Sequence, residues 1–175
     1  HDAYGQIVLS NAQAFFDHRL LRVAGREDFE ALEPIGERAW QKFDQPDAGL
    51  WELRTKSHVH TYSAAMCWAA CDRLANAAEA LKLDDRADFW RERAETMRAR
   101  IEEAAWRPDT QRMSATFGGD DLDASLLQLL DLRFLSPDDP RFRTTLEAVE
   151  GGLRRGSYML RYATEDDFGL PHTAF

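Results

Sequence analysis

The chain has little cysteine, little histidine and no excess of positive charge, and each shortage closes off a class of protein. Only two cysteines occur in 175 residues, too few for a disulfide framework. They stand four apart, Cys67 and Cys71, inside a helical pattern. That spacing puts both thiols on one helix face, where the backbone holds them too rigidly to bridge. Buried free thiols in a reducing compartment follow, and with them a cytoplasmic location. Five histidines, with no Cys or third His at ligand spacing, give no expected metal site. No cofactor motif appears either: Gly118-Gly119-Asp120 lacks the Lys-Ser/Thr and the preceding strand of a phosphate loop and reads as a turn. A formal charge of −9 argues against nucleic acid or an anionic membrane as partner, since both require a basic face. No apolar run approaches the roughly 18 residues that span a bilayer. Short repeats of the tetratricopeptide or ankyrin kind are absent too.

What is present is helical periodicity, and its character alternates. Residues 3–20 are mostly apolar or small, whereas 26–43 carry charge around one stripe of Phe29, Leu32, Ile35, Ala39, Trp40 and Phe43. Pro34 is expected to kink or restart that second helix. Residues 60–81 are again poor in charge and rich in Ala, and 84–105 are covered in charge except for Phe89, Trp90, Met97 and Ile101. A short apolar helix is expected at 123–132 with Asp123 as its N-cap, and a more polar one at 139–150 opened by Asp139 and Pro140. A helix that is apolar nearly all round must be covered on every side, whereas a one-striped helix lies outside. Three inner–outer pairs in succession predict a two-layered all-α toroid or solenoid, seen in part, favoured over an antiparallel bundle because a bundle does not require the alternation. Residues 157–162 read as extended and 163–175 as loop.

Loop 44–59 is long for a helix connection, and long loops in compact domains are often functional. It contains Trp51-Glu52-Leu53-Arg54. A carboxyl beside an indole in a concave site is partly desolvated, which favours its protonated form and makes it a proton donor. The plain alternative is a surface Glu–Arg pair beside a packing Trp. Arg161-Tyr162, entering the acidic run Glu165-Asp166-Asp167, offers forked donors for sugar hydroxyls or a structural ion pair with one of those carboxylates. His58 and His60 alternate along the chain. His60, with Tyr62 and Ser63, either caps the helix or faces a pocket, and capping with packing is the simpler reading. His172 is ambiguous in the same way.

Taken in order, DAYGQIVLS, DAGLWELR, HTYSAAMCWAACDRLANAAEAL, DDLDASLL and LRYATEDDFGLPHTAF resemble family 15 glycoside hydrolases, the glucoamylase family with its bacterial glucan- and trehalose-cleaving relatives. The resemblance spans nearly the whole chain, and DAGLWELR followed by HTYSAAMCWAACDRLA is its most specific part. It implies an (α/α)6 barrel, with 1–175 a partial catalytic domain truncated at both ends. It implies an inverting glycosidase acting on α-linked glucosides: glucan, maltooligosaccharide or trehalose. The family's motif puts the general acid at Glu52 and substrate-lining positions at Leu50 and Trp51. Arg161 matches a substrate-binding Arg that precedes an aromatic residue, here Tyr162. Arg54 stands where the bacterial branch has Trp-Glu-x-Arg, so fungal starch specificity does not carry over. The family's general base is a second Glu beyond Phe175, and one carboxyl alone cannot perform the inverting reaction. Hydrolysis by these residues alone is therefore not expected. An incomplete barrel would also expose apolar inner helices and invite self-association. The competing function is a non-catalytic helical scaffold for a protein partner, which accounts for the helices but not for DAGLWELR.

Overall fold

Small side chains decide how closely the helices of the first compact unit approach one another. The computed structural model describes residues 1–19 and 22–174. Its first unit comprises His1–Asp44 with Ala64–Ala99. Here α1 (Asp2–Ala12) and α2 (Arg26–Lys42) lie with most of α3 (Thr61–Ala80) and α4 (Asp84–Ala105). At Gly5 the backbone of α1 runs so near α3 that a Cβ would stand 2.3 Å from the Met66 carbonyl oxygen. At Gly36 a Cβ would stand 2.3 Å from Leu74 and 2.7 Å from the Trp90 ring, so only a glycine lets α2 settle there. Every residue from Thr61 to Cys71 is buried, as the low-charge pattern requires. Helix α4 instead buries one stripe, Ala87, Trp90, Ala94, Met97, Ile101 and Ala105, at the 3–4 residue spacing of a helix face. Cys67 and Cys71 are buried free thiols, and burial pushes the Cys71 thiol up to about 12.

Four expectations change. The first helix stops at Ala12 and continues only as a 3-10 turn over Gln13–Phe15. Beyond it Asp17 folds back, accepting the Arg19 amide at 3.0 Å and its guanidinium at 2.8 Å, which draws the Asp17 carboxyl down to about 2. The last residue of the expected helix, Leu20, lies outside the described residues. Nor is α1 covered all round: it buries Gly5, Val8 and Ala12 and leaves Ile7 43% exposed. Pro34 does not break α2, which runs unbroken through it. The expected helix 123–132 is a 3-10 turn over Ala124–Leu127 followed by one turn of α5 (Gln128–Asp131).

The second unit comprises Gln45–Ser63 with Arg100–Phe175. Its core is built from Leu126, Leu129, Phe134, Leu135, Val149 and Leu153, with the last two on α6 (Pro140–Leu153). Asp139 caps α6 by accepting the Arg141 amide at 2.8 Å, and Pro140 opens it. Two short hairpins complete the unit: β1 (Trp106–Arg107) with β2 (Arg112–Met113), and β3 (Arg154–Arg155) with β4 (Tyr158–Met159). Of the extended segment expected at 157–162, Tyr158–Met159 forms a strand. The turn at Gly118, with φ +72, is where the sequence put one.

Candidate active site

The DAGLWELR loop is ordered by its own polar groups. Asp47 and His58 exchange both backbone hydrogen bonds, 2.9 and 3.1 Å, and so close the base of the loop. The Asp47 carboxylate then accepts the Gly49 amide at 3.1 Å, the turn that an Asp two residues ahead promotes. Gly49 sits at φ +69, and a Cβ there would meet the His60 imidazole at 2.8 Å, so this position needs glycine twice over. The Leu53 amide donates to the Ala48 carbonyl at 2.9 Å, and the Glu52 amide to the Gly49 carbonyl at 3.2 Å. Between these bonds Glu52 adopts φ 53, a left-handed conformation that is costly for a residue bearing a Cβ.

Partners distant in sequence hold the two flanks of Glu52. The Trp51 indole nitrogen donates to Asp123 at 2.8 Å. The other Asp123 oxygen accepts the Ser125 amide at 2.7 Å, so the expected N-cap exists but uses only half of the carboxylate. Asp123 is 8% exposed, and burial is the main cause of its raised pKa, opposed by those hydrogen bonds. Beyond Glu52, Asp167 accepts the Arg54 amide at 2.6 Å, the Thr55 amide at 3.1 Å and the Thr55 hydroxyl, and these donors hold its carboxyl below the usual carboxylate range. Lys56 donates to the Glu165 carbonyl.

Arg161 and Tyr162 enter the same site. The Ala124 amide donates to the Arg161 carbonyl at 2.8 Å, which ties the Arg161-Tyr162 segment to the cap of the 3-10 turn. The Arg161 guanidinium stands 5.3 Å from the Trp51 ring centre and 5.6 Å from that of Tyr162, within cation–π range. The Tyr162 hydroxyl donates to Asp166 at 2.7 Å; burial first, then this carboxylate, pushes the phenol up to about 12. A cavity of about 80 Å³ is lined by Trp51, Glu52, Arg54, Arg161, Asp166 and Phe168, among others. A second, of about 110 Å³, brings Trp51 and Tyr162 together with Lys56, His58, His60 and Asp123. Among the described residues no group of three acidic, His or Cys side chains is placed to hold a metal ion, and no helix is long and apolar enough to cross a membrane.

Of the residues singled out in the sequence, Trp51, Glu52, Arg54, Arg161 and Tyr162 converge on one cavity. Leu50 does not line either cavity; Leu53 lines both. Backbone explains the exchange, because the left-handed residue at 52 turns the chain between them. Glu52 itself is exposed, so the indole beside it does not shield its carboxyl from water as the sequence reading expects. His60 faces the second cavity rather than capping α3, with Nε2 buried and unpartnered, and burial lowers its pKa. Asp123 and Asp167 were not legible as site residues. The one signal was that a capping aspartate has two oxygens and a cap uses one.

The sequence model of glycosyl hydrolases family 15 matches residues 2–169. The chain belongs to this family. Similar proteins include the trehalase of Mycobacterium tuberculosis (strain ATCC 25618 / H37Rv), 36% identical over 97% of this chain, and that of Mycolicibacterium smegmatis (strain ATCC 700084 / mc(2)155), 35% identical over 97%. A trehalase of Thermoplasma volcanium is 27% identical over 95%. The chain spans about a quarter of the length of these curated relatives. Solved glycosidase structures, a wild type and a variant in complex with glucose among them, superpose at a TM-score of 0.78 with 20% identity, covering 93% of this chain and 42% of theirs. The fold of this family 15 chain is accordingly all-α, part of an (α/α)6 barrel.

Proposed function

We propose that this chain carries the proton-donor half of the active site of an inverting glycoside hydrolase for α-linked glucosides, with Glu52 as general acid. The observation that carries this reading is the convergence of Glu52, Trp51 and Arg161 on one cavity, with Glu52 in a left-handed backbone conformation. Residues in such conformations persist where surrounding structure over-determines them, and they concentrate at functional sites. Trehalose is the first substrate to test, because the similar proteins at 36% and 35% identity are trehalases; glucan and maltooligosaccharide are the others. A non-catalytic scaffold gives no account of this turn.

In this mechanism Glu52 passes its proton to the glycosidic oxygen as the bond from that oxygen to the anomeric carbon breaks. Arg161 holds sugar hydroxyls with its forked donors, and Trp51 and Tyr162 form an aromatic wall. A second carboxylate, about 6.5–9.5 Å away, takes a proton from water, which attacks the opposite ring face and gives β-glucose. That base is a Glu outside these residues, so residues 1–175 form a partial catalytic domain that does not hydrolyse alone. The remainder of the full-length protein supplies both the base and the wall that dries Glu52. Apolar side chains left uncovered, such as Ile7, favour self-association of the isolated chain. The buried thiols of Cys67 and Cys71 fit a reducing, cytoplasmic setting.

The test is Glu52→Gln in the full-length enzyme. Loss of a general acid lowers kcat on trehalose by about 10²–10⁴-fold; retention of most activity removes Glu52 from this role. Proton NMR of the first-formed sugars reads the stereochemistry: inversion releases one β-glucose and one α-glucose from each trehalose, because the leaving glucose keeps its configuration, and two α-anomers contradict inversion.

A further inference from the structure

Glu52 is fixed from both sides by carboxylates that arrive from far along the chain. Trp51, immediately before it, is tied through its indole to Asp123, 72 residues away. Arg54 and Thr55, just after it, are tied through their amides to Asp167, 113 and 112 residues away. Between these two anchors stands the left-handed backbone of Glu52. Such a conformation is costly for a residue bearing a Cβ and relaxes unless its neighbours are held. Asp123 is buried with both oxygens engaged, one by Trp51 and one by Ser125. Asp167 spends both of its oxygens on Arg54 and Thr55.

We propose that Asp123 and Asp167 are positioning residues that clamp the Trp51–Thr55 turn from its two ends and so aim the Glu52 carboxyl at the leaving oxygen. This rests on Glu52 being the general acid. Asparagine at either position keeps the shape and one acceptor oxygen but replaces the other with a donor. The N–H group that faced the lost oxygen is then without its partner, and the turn gains freedom.

The experiment compares two substrates in the full-length enzyme. Trehalose needs its leaving oxygen protonated, whereas α-glucosyl fluoride releases fluoride with little help from an acid. Glu52→Gln, Asp123→Asn and Asp167→Asn are measured singly, and each Asn variant is also measured on the Glu52→Gln background. Misplacing a catalytic group by about 1 Å can cost about 10²-fold. Asp123→Asn and Asp167→Asn are therefore expected to lower kcat on trehalose by about 10–100-fold, with KM little changed. On α-glucosyl fluoride the loss should stay within about threefold, because little acid catalysis is left to lose. Added to Glu52→Gln, the same substitutions should cost less than about threefold on trehalose, since residues acting as a unit are not additive. Equal losses on both substrates, or a trehalose loss that multiplies in full with Glu52→Gln, overturn the clamp while leaving Glu52 in place. Full activity of Glu52→Gln on trehalose overturns the general acid and the clamp together. Should the buried Asp123→Asn fail to fold, Asp167→Asn, nearer the surface, carries the same comparison.

Discussion

Carboxylates in the first unit meet arginines; those around the DAGLWELR loop in the second meet backbone amides, an indole and a phenol. On the helices, Asp72 and Glu79 pair with Arg91 at 3.2 and 2.7 Å, and Glu37 with Arg93 at 2.7 Å. Glu33 meets Arg86 and also accepts the Trp90 indole at 2.9 Å. Part-exposed pairs of this kind contribute little, because water competes for both charges. The helices beneath them are held by burial of Trp90, Leu74, Met97 and the alanines of α3. Around the loop no helix satisfies the backbone, so Asp47, Asp123, Asp166 and Asp167 do it. The same side chain thus decorates a surface in one unit and replaces secondary structure in the other. Strain follows this division: among the described residues, every residue at positive φ except Lys82 lies in the second unit.

The comparison can be broken from either side. Trp90→Ala should have the largest effect on stability, about 3–5 kcal/mol, because the ring is fully buried and its removal leaves a cavity and takes one of the donors from the Glu33 carboxylate. Thermal or urea unfolding measures this. Turnover per folded molecule of the full-length protein should stay unchanged, and a fall there would show that the helical unit does more than support. Gly49→Ala should cost less stability, about 1–2 kcal/mol, since it combines a disfavoured φ with a contact on His60. Its effect on turnover of the folded enzyme should be larger than that of Trp90→Ala, because the loop carrying Glu52 must shift. Equal effects would erase the distinction between the units.

The smallest effect concerns pH. Burial lowers the His60 pKa from its usual 6.5, against the opposing pull of the Asp47 and Asp123 carboxylates and with help from His58. Between 6.5 and the lower folded value the unfolded chain binds more protons than the folded one. Stability is therefore lost as pH falls through that window. A His60→Gln variant should lose less melting temperature than the parent between about pH 7 and about pH 5. An unchanged slope would mean that His60 titrates alike in both states.

Much of the fold was legible because burial writes itself into helices as a period. The low-charge run from Thr61 is buried through Cys71, and the stripe of α4 is where the charge pattern leaves room for it. Boundaries were less legible. Pro34 did not break α2, and the helix expected at 123–132 is a 3-10 turn over Ala124–Leu127 with a single α-helical turn after it. In the site, Trp51, Glu52, Arg54, Arg161 and Tyr162 were found through a recognisable motif, not through geometry. Asp167 could not be told from Glu165 or Asp166, since three adjacent carboxylates carry the same chemistry on paper.

Residue types alone determined the all-α character, the free thiols, the caps at Asp123 and Asp139 and the family. Each of these depends on neighbours within a few positions, or on a pattern that repeats along the chain. Tertiary structure alone decided that Asp123 reaches Trp51, that Asp167 secures Arg54 and Thr55, that His60 turns toward a cavity and that Glu52 is left-handed. Those outcomes depend on groups up to 113 residues apart meeting at hydrogen-bond distance. Such meetings leave no period in the sequence, because a hydrogen bond between loops constrains only its two ends.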